Sequence, residues 1–535
     1  TVPTYRWRDH WPAAVLALAA ALLALWARHA LFPGYSWNRD EPVYLWQVDA
    51  LRAGHLTAAD GGYPDLFQPW LSARGTGGTF FTQYTLGWPL VLLAAAVVTG
   101  SAGNALLLGA ALAVLGTYAI GLELFGDHRI ATLGAALMVA SPILPIQGGA
   151  YLSYLFTLGL GLFVGALLLS GLRRGRPLRI LGAGILLGWI FMTRPYDAVL
   201  WGAAFAAFAL YRERARWPRV VRSLVICGVG AVPLVAATLA YNRHVTGGWL
   251  SFPITAADPM DTFGFGAKRL MPTFEIVDYK VSTALRATAK NAFLLPWFLV
   301  GSYVGLLTAG LGLWHRRREP STVTLVLLSA AFPLGYFVFW GNHLSSMAAR
   351  ISGPIYFLPL YPPICLLIAT VILRWWEHRR RLAVGLVAAL VVGTLPASIT
   401  RFAVNREISL QQVPWRSSVA GIDSQALVFV ADTAPYLLYL NPFSSNEGEL
   451  DDRILYAADN GPAMLDLIAH SPDRRPFVQQ ASVAAQDIGP RENPQHVEVH
   501  LTPVKVRRGP TITLAVRAAP STRASGARID VTTSA

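Results

Sequence analysis

Apolar residues fall into long blocks separated by short polar segments, beginning at Ala13 and ending at Ile399. Each block holds about 15 to 22 residues, and about 20 apolar residues form a helix that crosses the ~30 Å hydrocarbon core of a bilayer. The pattern therefore predicts a polytopic α-helical membrane protein with about eleven transmembrane helices over residues 1–400. One short segment between residues 86 and 172 is predicted not to span, and Leu86–Gly100 is our choice.

The remaining residues, from 401 onward, have ordinary polarity and predict a soluble C-terminal domain over residues 401–517. Its pattern is typical of a small α/β or β-rich domain. We predict a buried strand at Ala426–Val430 and a short amphipathic helix at Ala463–His470. Two strands of alternating polarity are predicted at Val497–Leu501 and Ile512–Val516. Residues 518–535 are predicted to be a disordered tail.

Composition strengthens the membrane prediction, because 54% of the residues are hydrophobic, only 14% are charged, and the mean hydropathy is +0.44. The formal charge of +14 comes almost wholly from arginines in short clusters between apolar blocks. Such clusters indicate the positive-inside rule, so we expect a lipid bilayer and no nucleic acid as partner. The preference for arginine over lysine indicates a GC-rich genome, so we expect the plasma membrane of a bacterium, such as an actinobacterium.

The arginine clusters also predict which loops face the cytoplasm, since short cytoplasmic loops retain Lys and Arg. These clusters lie at residues 173–179, 212–222, 316–318 and 379–381. The loops at residues 33–85 and 242–290, together with the C-terminal domain, are then predicted to be extracytoplasmic.

A pair of carboxylates, Asp40 and Glu41, opens the predicted interfacial helix in the first of these loops. Leu45, Val48 and Leu51 fall on one face of that helix. A carboxylate that faces a cavity at the membrane surface can serve as a general base. The alternative is that Asp40 or Glu41 simply caps the helix.

This layout resembles the GT-C superfamily of integral-membrane glycosyltransferases, in particular the protein O-mannosyltransferase and lipid A aminoarabinose-transferase branch. The resemblance rests on an Asp-Glu dipeptide that follows a first transmembrane helix. Shorter matches are Gln83–Leu90, Leu124–Arg129, Ala140–Pro142 and Thr193–Asp197.

The resemblance implies an inverting transferase that takes a sugar from a polyprenyl-phosphate donor and passes it to an extracytoplasmic glycan, glycolipid or protein. It implies that Asp40 deprotonates the acceptor hydroxyl and that Glu41 supports it. No GxGxxG or P-loop follows a predicted strand, as expected for a lipid-linked donor.

The leaving phosphate would need fixed cations on the same side of the membrane. Basic residues in outside loops or near the outer ends of helices are the candidates, namely Arg74, Arg194, Lys268, Arg269, His343 and Arg350. Arg350 substitutes for the arginine of a Gly-x-Arg-Tyr pattern of the family, where this chain has Ile355. Arg194 is expected to pair with Asp197, and a functional and a purely structural ion pair both stay open.

Aromatic side chains can stack on sugar rings, and glycines between them permit a lid to move. The predicted substrate-binding residues are Tyr44, Tyr84, Phe263, Phe265 and Tyr356. No metal ligands are predicted, although Asp258 with Asp261, or Asp40 with Glu41, could hold a divalent cation through oxygen ligands.

Two other functions stay open at this point. One is a transporter or lipid-sugar flippase, for which repeat symmetry would be expected. The other is a non-enzymatic scaffold that binds the cell wall, which would tolerate loss of Asp40.

Overall fold

The structure is a computed structural model, which describes residues 10–212, 216–272, 274–430, 442–483 and 497–506. The predicted strand Ile512–Val516 and the predicted disordered tail 518–535 lie outside the described residues.

The membrane domain is a bundle of helices of unequal length. Up to its second large loop, these helices are α1 (Trp11–Ala30), α4 (Gly87–Thr99), α5 (Asn104–Phe125), α6 (His128–Ala140), α7 (Ile143–Gly148), α8 (Tyr154–Arg174), α9 (Pro177–Thr193), α10 (Pro195–Arg212) and α11 (Trp217–Thr246). The helices that follow this loop are α13 (Val281–Leu294), η1 (Leu295–Phe298), α14 (Ser302–Arg316), α15 (Pro320–Tyr336), α16 (Gly341–Ser352), η2 (Ile355–Leu360), α17 (Tyr361–His378) and α18 (Arg380–Leu410).

Within the described residues, six helices are long and apolar enough to cross a membrane, or seven if α13 and α14 count as one bent span. The shorter apolar helices α4, α6, α9 and α15 accompany them. The predicted helical, membrane-embedded architecture is therefore confirmed, whereas the predicted count of about eleven crossings is not.

The apolar block at residues 291–314 does not form one straight helix. The segment that contains α13 and η1 meets α14 at an angle of 102°. Pro296 lies in η1, and Gly301 adopts φ 73° just before α14. A proline and a left-handed residue both interrupt regular helical hydrogen bonding, so the chain turns here instead of crossing straight.

Helix α8 lies in the centre of the bundle and is among the most enclosed of the spanning helices. Its glycines allow α10 to approach closely, since a Cβ atom at Gly161 or Gly165 would lie 2.1 Å from the ring of Trp201 or Phe205. Small residues at helix contacts are typical of membrane bundles, where association depends on close packing.

The first loop contains α2 (Asp40–Arg52), α3 (Pro64–Phe67) and a small antiparallel sheet of order β1-β3-β2 with β1 (Ala58–Ala59), β2 (Ser72–Arg74) and β3 (Thr79–Thr82). Helix α2 forms where it was predicted, but it is not an open interfacial helix. Tyr44 and Val48 pack into the membrane-domain core, Trp46 packs against the C-terminal domain, and Val43 packs against Met271 of the second loop. The helix is thus covered on several sides.

The second loop contains α12 (Pro253–Ala257) and a hairpin of β4 (Gly266–Lys268) and β5 (Val277–Tyr279). It packs at the same end of the bundle as the first loop, because Tyr241 at the end of α11 and Ala257 join Ala73 and Phe81 in one apolar cluster. We call this end of the membrane domain the loop side.

The C-terminal domain is a mixed α/β layer. Its elements are α19 (Val413–Ser417), β6 (Ala426–Val430), η3 (Pro442–Ser445), β7 (Ile454–Ala458), α20 (Pro462–His470), β8 (Arg475–Val483) and β9 (Val497–Pro503). The sheet order is β7-β6-β8-β9, with β6 parallel to both neighbours and β9 antiparallel to β8. All five residues of β6 are buried, as its apolar run predicts.

Two features join this domain to the rest of the chain. Helix α18 runs through residue 400, so the predicted boundary falls inside a helix. Just beyond it, Ser409 Oγ accepts the Gly34 N–H at 2.9 Å, and Gln412 Oε1 accepts the Tyr35 N–H at 3.1 Å. The domain is therefore fastened to the segment that leads into α2.

Candidate active site

Asp40 is the first residue of α2, and its side chain does not cap that helix. The N-cap position is Arg39, which makes no side-chain capping bond, and the Asp40 N–H donates to Asn38 Oδ1 at 3.0 Å. The Asp40 carboxylate instead accepts a hydrogen bond from the Tyr84 hydroxyl. Burial raises the pKa of Asp40, while the hydrogen bond from Tyr84 and the charges of Arg194 and Arg39 oppose that rise.

Glu41 is fully buried, and both of its carboxylate oxygens are engaged. Oε1 accepts the Ser36 N–H and Oε2 accepts the Tyr151 N–H, each at 2.7 Å. Tyr151 precedes α8, so Glu41 ties the start of α2 to the membrane domain. Burial raises the pKa of this carboxyl group, whereas the hydrogen bonds that it accepts lower the pKa.

Arg194 lies at the break between α9 and α10, where Pro195 begins the new helix. The predicted ion pair is confirmed, because Arg194 Nε lies 2.7 Å from Asp197 Oδ2. A second guanidinium nitrogen donates to the Tyr336 hydroxyl at 3.1 Å, and this hydroxyl in turn donates to the other oxygen of Asp197. The guanidinium carbon also lies 4.3 Å from the ring centroid of Tyr154. These contacts hold the cation in one orientation.

Tyrosine rings connect Asp40 with Arg194. The rings of Tyr44 and Tyr84 lie 4.4 Å apart, and those of Tyr336 and Tyr356 stack at 4.1 Å. The negative charge of Asp40 acts electrostatically on the hydroxyl groups of four tyrosines, namely Tyr44, Tyr84, Tyr154 and Tyr356. We call the group the tyrosine cluster, and its members are Tyr44, Tyr84, Tyr154, Tyr336 and Tyr356.

The structure thus brings together Asp40, Arg194 and three predicted substrate-binding tyrosines, Tyr44, Tyr84 and Tyr356. The sequence reasoning missed Tyr154 and Tyr336. The sequence feature that could have identified them is a hydroxyl group inside an apolar segment, because a buried tyrosine usually requires a hydrogen-bond partner.

The second loop is fastened beside the tyrosine cluster. The rings of Phe263 and Tyr196 pack against each other with their centroids 4.4 Å apart, and the Gly264 N–H donates to Val338 O at 2.8 Å. Asp261 Oδ1 accepts the Trp340 Nε1–H at 2.7 Å. Burial raises the pKa of Asp261 to about 7, and the nearby charge of Asp40 contributes to this rise.

The predicted basic residues of the second loop brace the loop itself. Lys268 Nζ donates to Thr262 Oγ1 at 2.8 Å and to Phe263 O at 2.9 Å, and burial lowers its pKa. Arg269 Nε lies 2.7 Å from Asp258 Oδ2. The two carboxylates considered for a divalent cation are accordingly engaged, Asp258 by Arg269 and Asp261 by Trp340. Within the described ranges, no group of three or more His, Cys, Asp or Glu side chains could hold a metal ion.

Arg74 is exposed on β2, where it pairs with Asp65 and donates to Gln68 Oε1 at 3.2 Å. Its described contacts do not connect it with Asp40 or Arg194.

His343 and Arg350 lie about two turns apart along α16, within a group of basic residues. Burial lowers the pKa of His343, and Lys290 and Arg286 of α13 lower it further. Arg350 lies beside Arg401 of α18, which donates to its carbonyl oxygen. We call these five residues the basic band.

Known proteins resemble this chain mainly in their structure. No curated protein matches its sequence. A family model described as a domain of unknown function (DUF7846) matches residues 426–535.

Among solved structures, the chain is similar to ArnT from Cupriavidus metallidurans bound to undecaprenyl phosphate, with a TM-score of 0.55 and 13% identity over 91% of this chain and 97% of that one. It is also similar to AglB, an oligosaccharyltransferase from Archaeoglobus fulgidus, in complex with an inhibitory peptide and a dolichol-phosphate. That match has a TM-score of 0.50 and 10% identity, and it covers 89% of this chain and 70% of AglB.

At these identities the similarity concerns the fold, and it extends over the membrane domain and beyond. The predicted resemblance is confirmed at that level: the chain has the fold of the GT-C integral-membrane glycosyltransferases.

Proposed function

We propose that the chain is an inverting glycosyltransferase that moves a sugar from a polyprenyl-phosphate donor to an extracytoplasmic hydroxyl. The acceptor would belong to a cell-wall glycan, a glycolipid or a protein. The observation that carries the proposal is the position of Asp40, whose carboxylate has a raised pKa and shares the tyrosine cluster with the buried cation Arg194. The fold supports it, since the structural neighbours ArnT and AglB are described with undecaprenyl phosphate and dolichol-phosphate.

In this proposal Asp40 is the general base. A carboxylate that burial has made more basic takes the proton of the acceptor hydroxyl more readily than a solvated one. The acceptor oxygen forms a bond to the anomeric carbon as the bond from that carbon to the phosphate oxygen breaks. The proton ends on Asp40, and the bonding electron pair leaves with the polyprenyl phosphate.

The negative charge that develops on the leaving phosphate would be stabilised by fixed cations. Arg194 is the first candidate, because its charge already acts on Asp40 and its orientation is fixed. Arg39, which the sequence reasoning did not single out, acts on Asp40 in the same way. The guanidinium of Arg39 lies 4.3 Å from the Phe274 ring.

The other predicted phosphate-binding residues have different positions. We propose that Arg350, with the other cations of the basic band, attracts the donor phosphate as it approaches along the membrane surface. His343, whose pKa is lowered, would contribute a hydrogen bond from its neutral imidazole. Lys268 and Arg269 would act mainly by holding the second loop. Arg74 is the weakest candidate, because its described contacts, with Asp65 and Gln68, do not connect it with Asp40 or Arg194.

Phe263 and Phe265 are suited to cover a bound sugar. Their side chains are 48% and 43% exposed although they belong to a fastened loop. Gly264 and Gly266 adopt φ values of 86° and 112°, which side-chain-bearing residues rarely adopt, so glycine is needed for this path. We propose that this segment is a lid that stacks on the sugar together with Tyr44, Tyr84 and Tyr356.

We also propose that the loop side faces away from the cytoplasm of a bacterial plasma membrane. The arginines at residues 173–179 lie at the far end of α8 from Tyr154, as the positive-inside rule requires for this orientation.

The test is transfer of a radiolabelled sugar from a panel of polyprenyl-phosphate sugars by membranes that contain the wild-type protein or Asp40→Asn. The variant keeps the shape of the side chain but cannot accept the proton, so we expect a loss of about 10²-fold or more. Asp49→Asn is the matched control, because Asp49 is an exposed carboxylate on the same helix, and it should keep its activity.

Gel filtration of each variant checks that it is folded. Equal activity of Asp40→Asn and wild type would contradict the role of Asp40. If the wild type consumes no donor, a transporter, a flippase or a cell-wall-binding scaffold becomes the better explanation.

A further inference from the structure

A second charged site lies at the other membrane surface, far from the tyrosine cluster. Helix α8 begins at Tyr154 and ends at Arg174. Its 20 steps of ~1.5 Å correspond to about 30 Å, which is the thickness of the hydrocarbon core. Arg174 therefore lies where the bundle meets the opposite membrane surface.

Two guanidinium groups converge on one hydroxyl at this place. Arg174 donates to Ser170 Oγ at 2.8 Å, and Arg179 at the start of α9 donates to the same oxygen. Ser170 itself is buried, and Arg176 also acts on Arg179 electrostatically. Like charges so close to each other repel strongly where water is partly excluded, so the arrangement favours an anion between them.

The protein supplies little negative charge here. Glu123 at the end of α5 pairs with Arg173 and lies 3.5 Å from Arg174. In the part of the chain that the structure describes, no other carboxylate forms an ion pair with Arg174, Arg176 or Arg179. One carboxylate thus faces several arginines, and a net positive charge remains.

A cavity of about 110 Å³ lies between α5, α8, α10 and α15, and its lining includes Arg173, the residue next to Arg174 on α8. Leu124, Leu169, Leu172 and Phe208 form its apolar part, and Glu123 and Ser321 are among its polar residues. An apolar floor beside a cationic rim is complementary to an amphiphile with an anionic head.

We propose that this site binds an anionic glycerophospholipid from that leaflet. Its phosphate would bridge Arg174 and Arg179, and part of an acyl chain would lie on the apolar floor. Guanidinium groups bind phosphate oxygens through charge-assisted, geometrically specific hydrogen bonds, and basic pockets between transmembrane helices are suited to lipid head groups. The proposal does not depend on the proposed transferase activity.

The test is a titration of the full-length, detergent-solubilised protein with a short-chain phosphatidylglycerol, followed by native mass spectrometry. Each arginine contact with the head group contributes roughly a fivefold gain in affinity, so Arg174→Gln/Arg179→Gln should bind roughly 30-fold more weakly. Arg318→Gln is the matched control, because Arg318 is an exposed arginine on another loop, and its affinity should not change. Arg174→Lys/Arg179→Lys keeps both charges but loses the guanidinium hydrogen bonds, so its affinity should lie between those of the wild type and the glutamine double variant.

Phosphatidylcholine and inorganic phosphate are the comparison ligands. Binding of phosphatidylglycerol that is tighter than that of either, and that depends on the arginine pair, supports the proposal. Equal binding by the glutamine double variant and wild type overturns it. If phosphatidylcholine binds as tightly as phosphatidylglycerol, an anionic head group is not required. If inorganic phosphate alone saturates the site, the ligand is free phosphate and not a lipid.

Discussion

The Arg194–Asp197 pair gives the sharpest prediction about the site. The side chains of Arg194 and Asp197 are only 16% and 9% exposed, and Asp197 also accepts the hydrogen bond of Tyr336. Asp197→Asn keeps the shape of the side chain but leaves the charge of Arg194 buried and uncompensated. Removal of one partner of a buried pair costs about 3–5 kcal/mol, so the free energy of unfolding should fall by about that amount.

Removal of both charges should cost much less. In Arg194→Met/Asp197→Leu no charge remains buried, and replacement of a whole buried ion pair by apolar residues is often close to neutral. We expect the double variant to be more stable than Asp197→Asn. It should nevertheless lose sugar transfer, because Arg194 is proposed to stabilise the leaving phosphate.

The assay combines denaturation of the three purified proteins in the same detergent with measurement of sugar transfer. A double variant as unstable as Asp197→Asn, or an Asp197→Asn protein as stable as wild type, would refute the reasoning about the uncompensated charge. A double variant that is both stable and fully active would show that the pair has a structural role only.

Three further predictions concern single residues. Tyr84→Phe removes a hydrogen bond that lowers the pKa of Asp40, so the acidic limb of the pH–activity profile should move to higher pH; an unchanged profile would contradict this. The pKa of Asp261 is raised from 3.8 to about 7, so between these values the folded protein keeps a proton that the unfolded chain loses. The free energy of unfolding should therefore fall by up to roughly 4 kcal/mol from pH 4 to pH 7. Denaturation of Asp261→Asn should show a smaller fall over this pH range, and an equal fall in the variant would contradict the raised pKa. Gly184→Ala would bring a Cβ atom within 1.9 Å of a carbonyl oxygen of α11 and should lower the melting temperature, whereas Gly228→Ala meets nothing within 4 Å and should not; equal melting temperatures would argue against tight packing here.

The sequence predicts the helical, membrane-embedded character of the chain because the bilayer imposes a simple rule on composition, but apolar content does not determine the number of crossings. Helix α2 and the ion pair at Arg194 were also predictable, because charged residues at membrane depth require a partner. Strand β6 and helix α20 were also predictable, because the apolar pattern of each depends only on its own residues.

The site itself depends on contacts between distant parts of the chain. Tyr154 and Tyr336 are 182 positions apart, and the packing of α8 against α9 and of α15 against α10 brings both to Arg194. The roles of Lys268 and Arg269 likewise depend on partners that a loop selects when it folds. The break before α14 was missed because apolar content alone does not show that Pro296 and Gly301 turn the chain.

Helix α18 has a mechanical consequence. Its 31 residues form a rod about 46 Å long, which starts at the membrane surface opposite the loop side and ends beside the segment that precedes Asp40. The C-terminal domain is carried on this rod and is also bound to that segment, so it has no free hinge on which to swing. A force on the domain would tilt α18 and displace the segment that precedes Asp40. Pro396 interrupts the helical hydrogen bonds of α18, so the helix would bend at this residue.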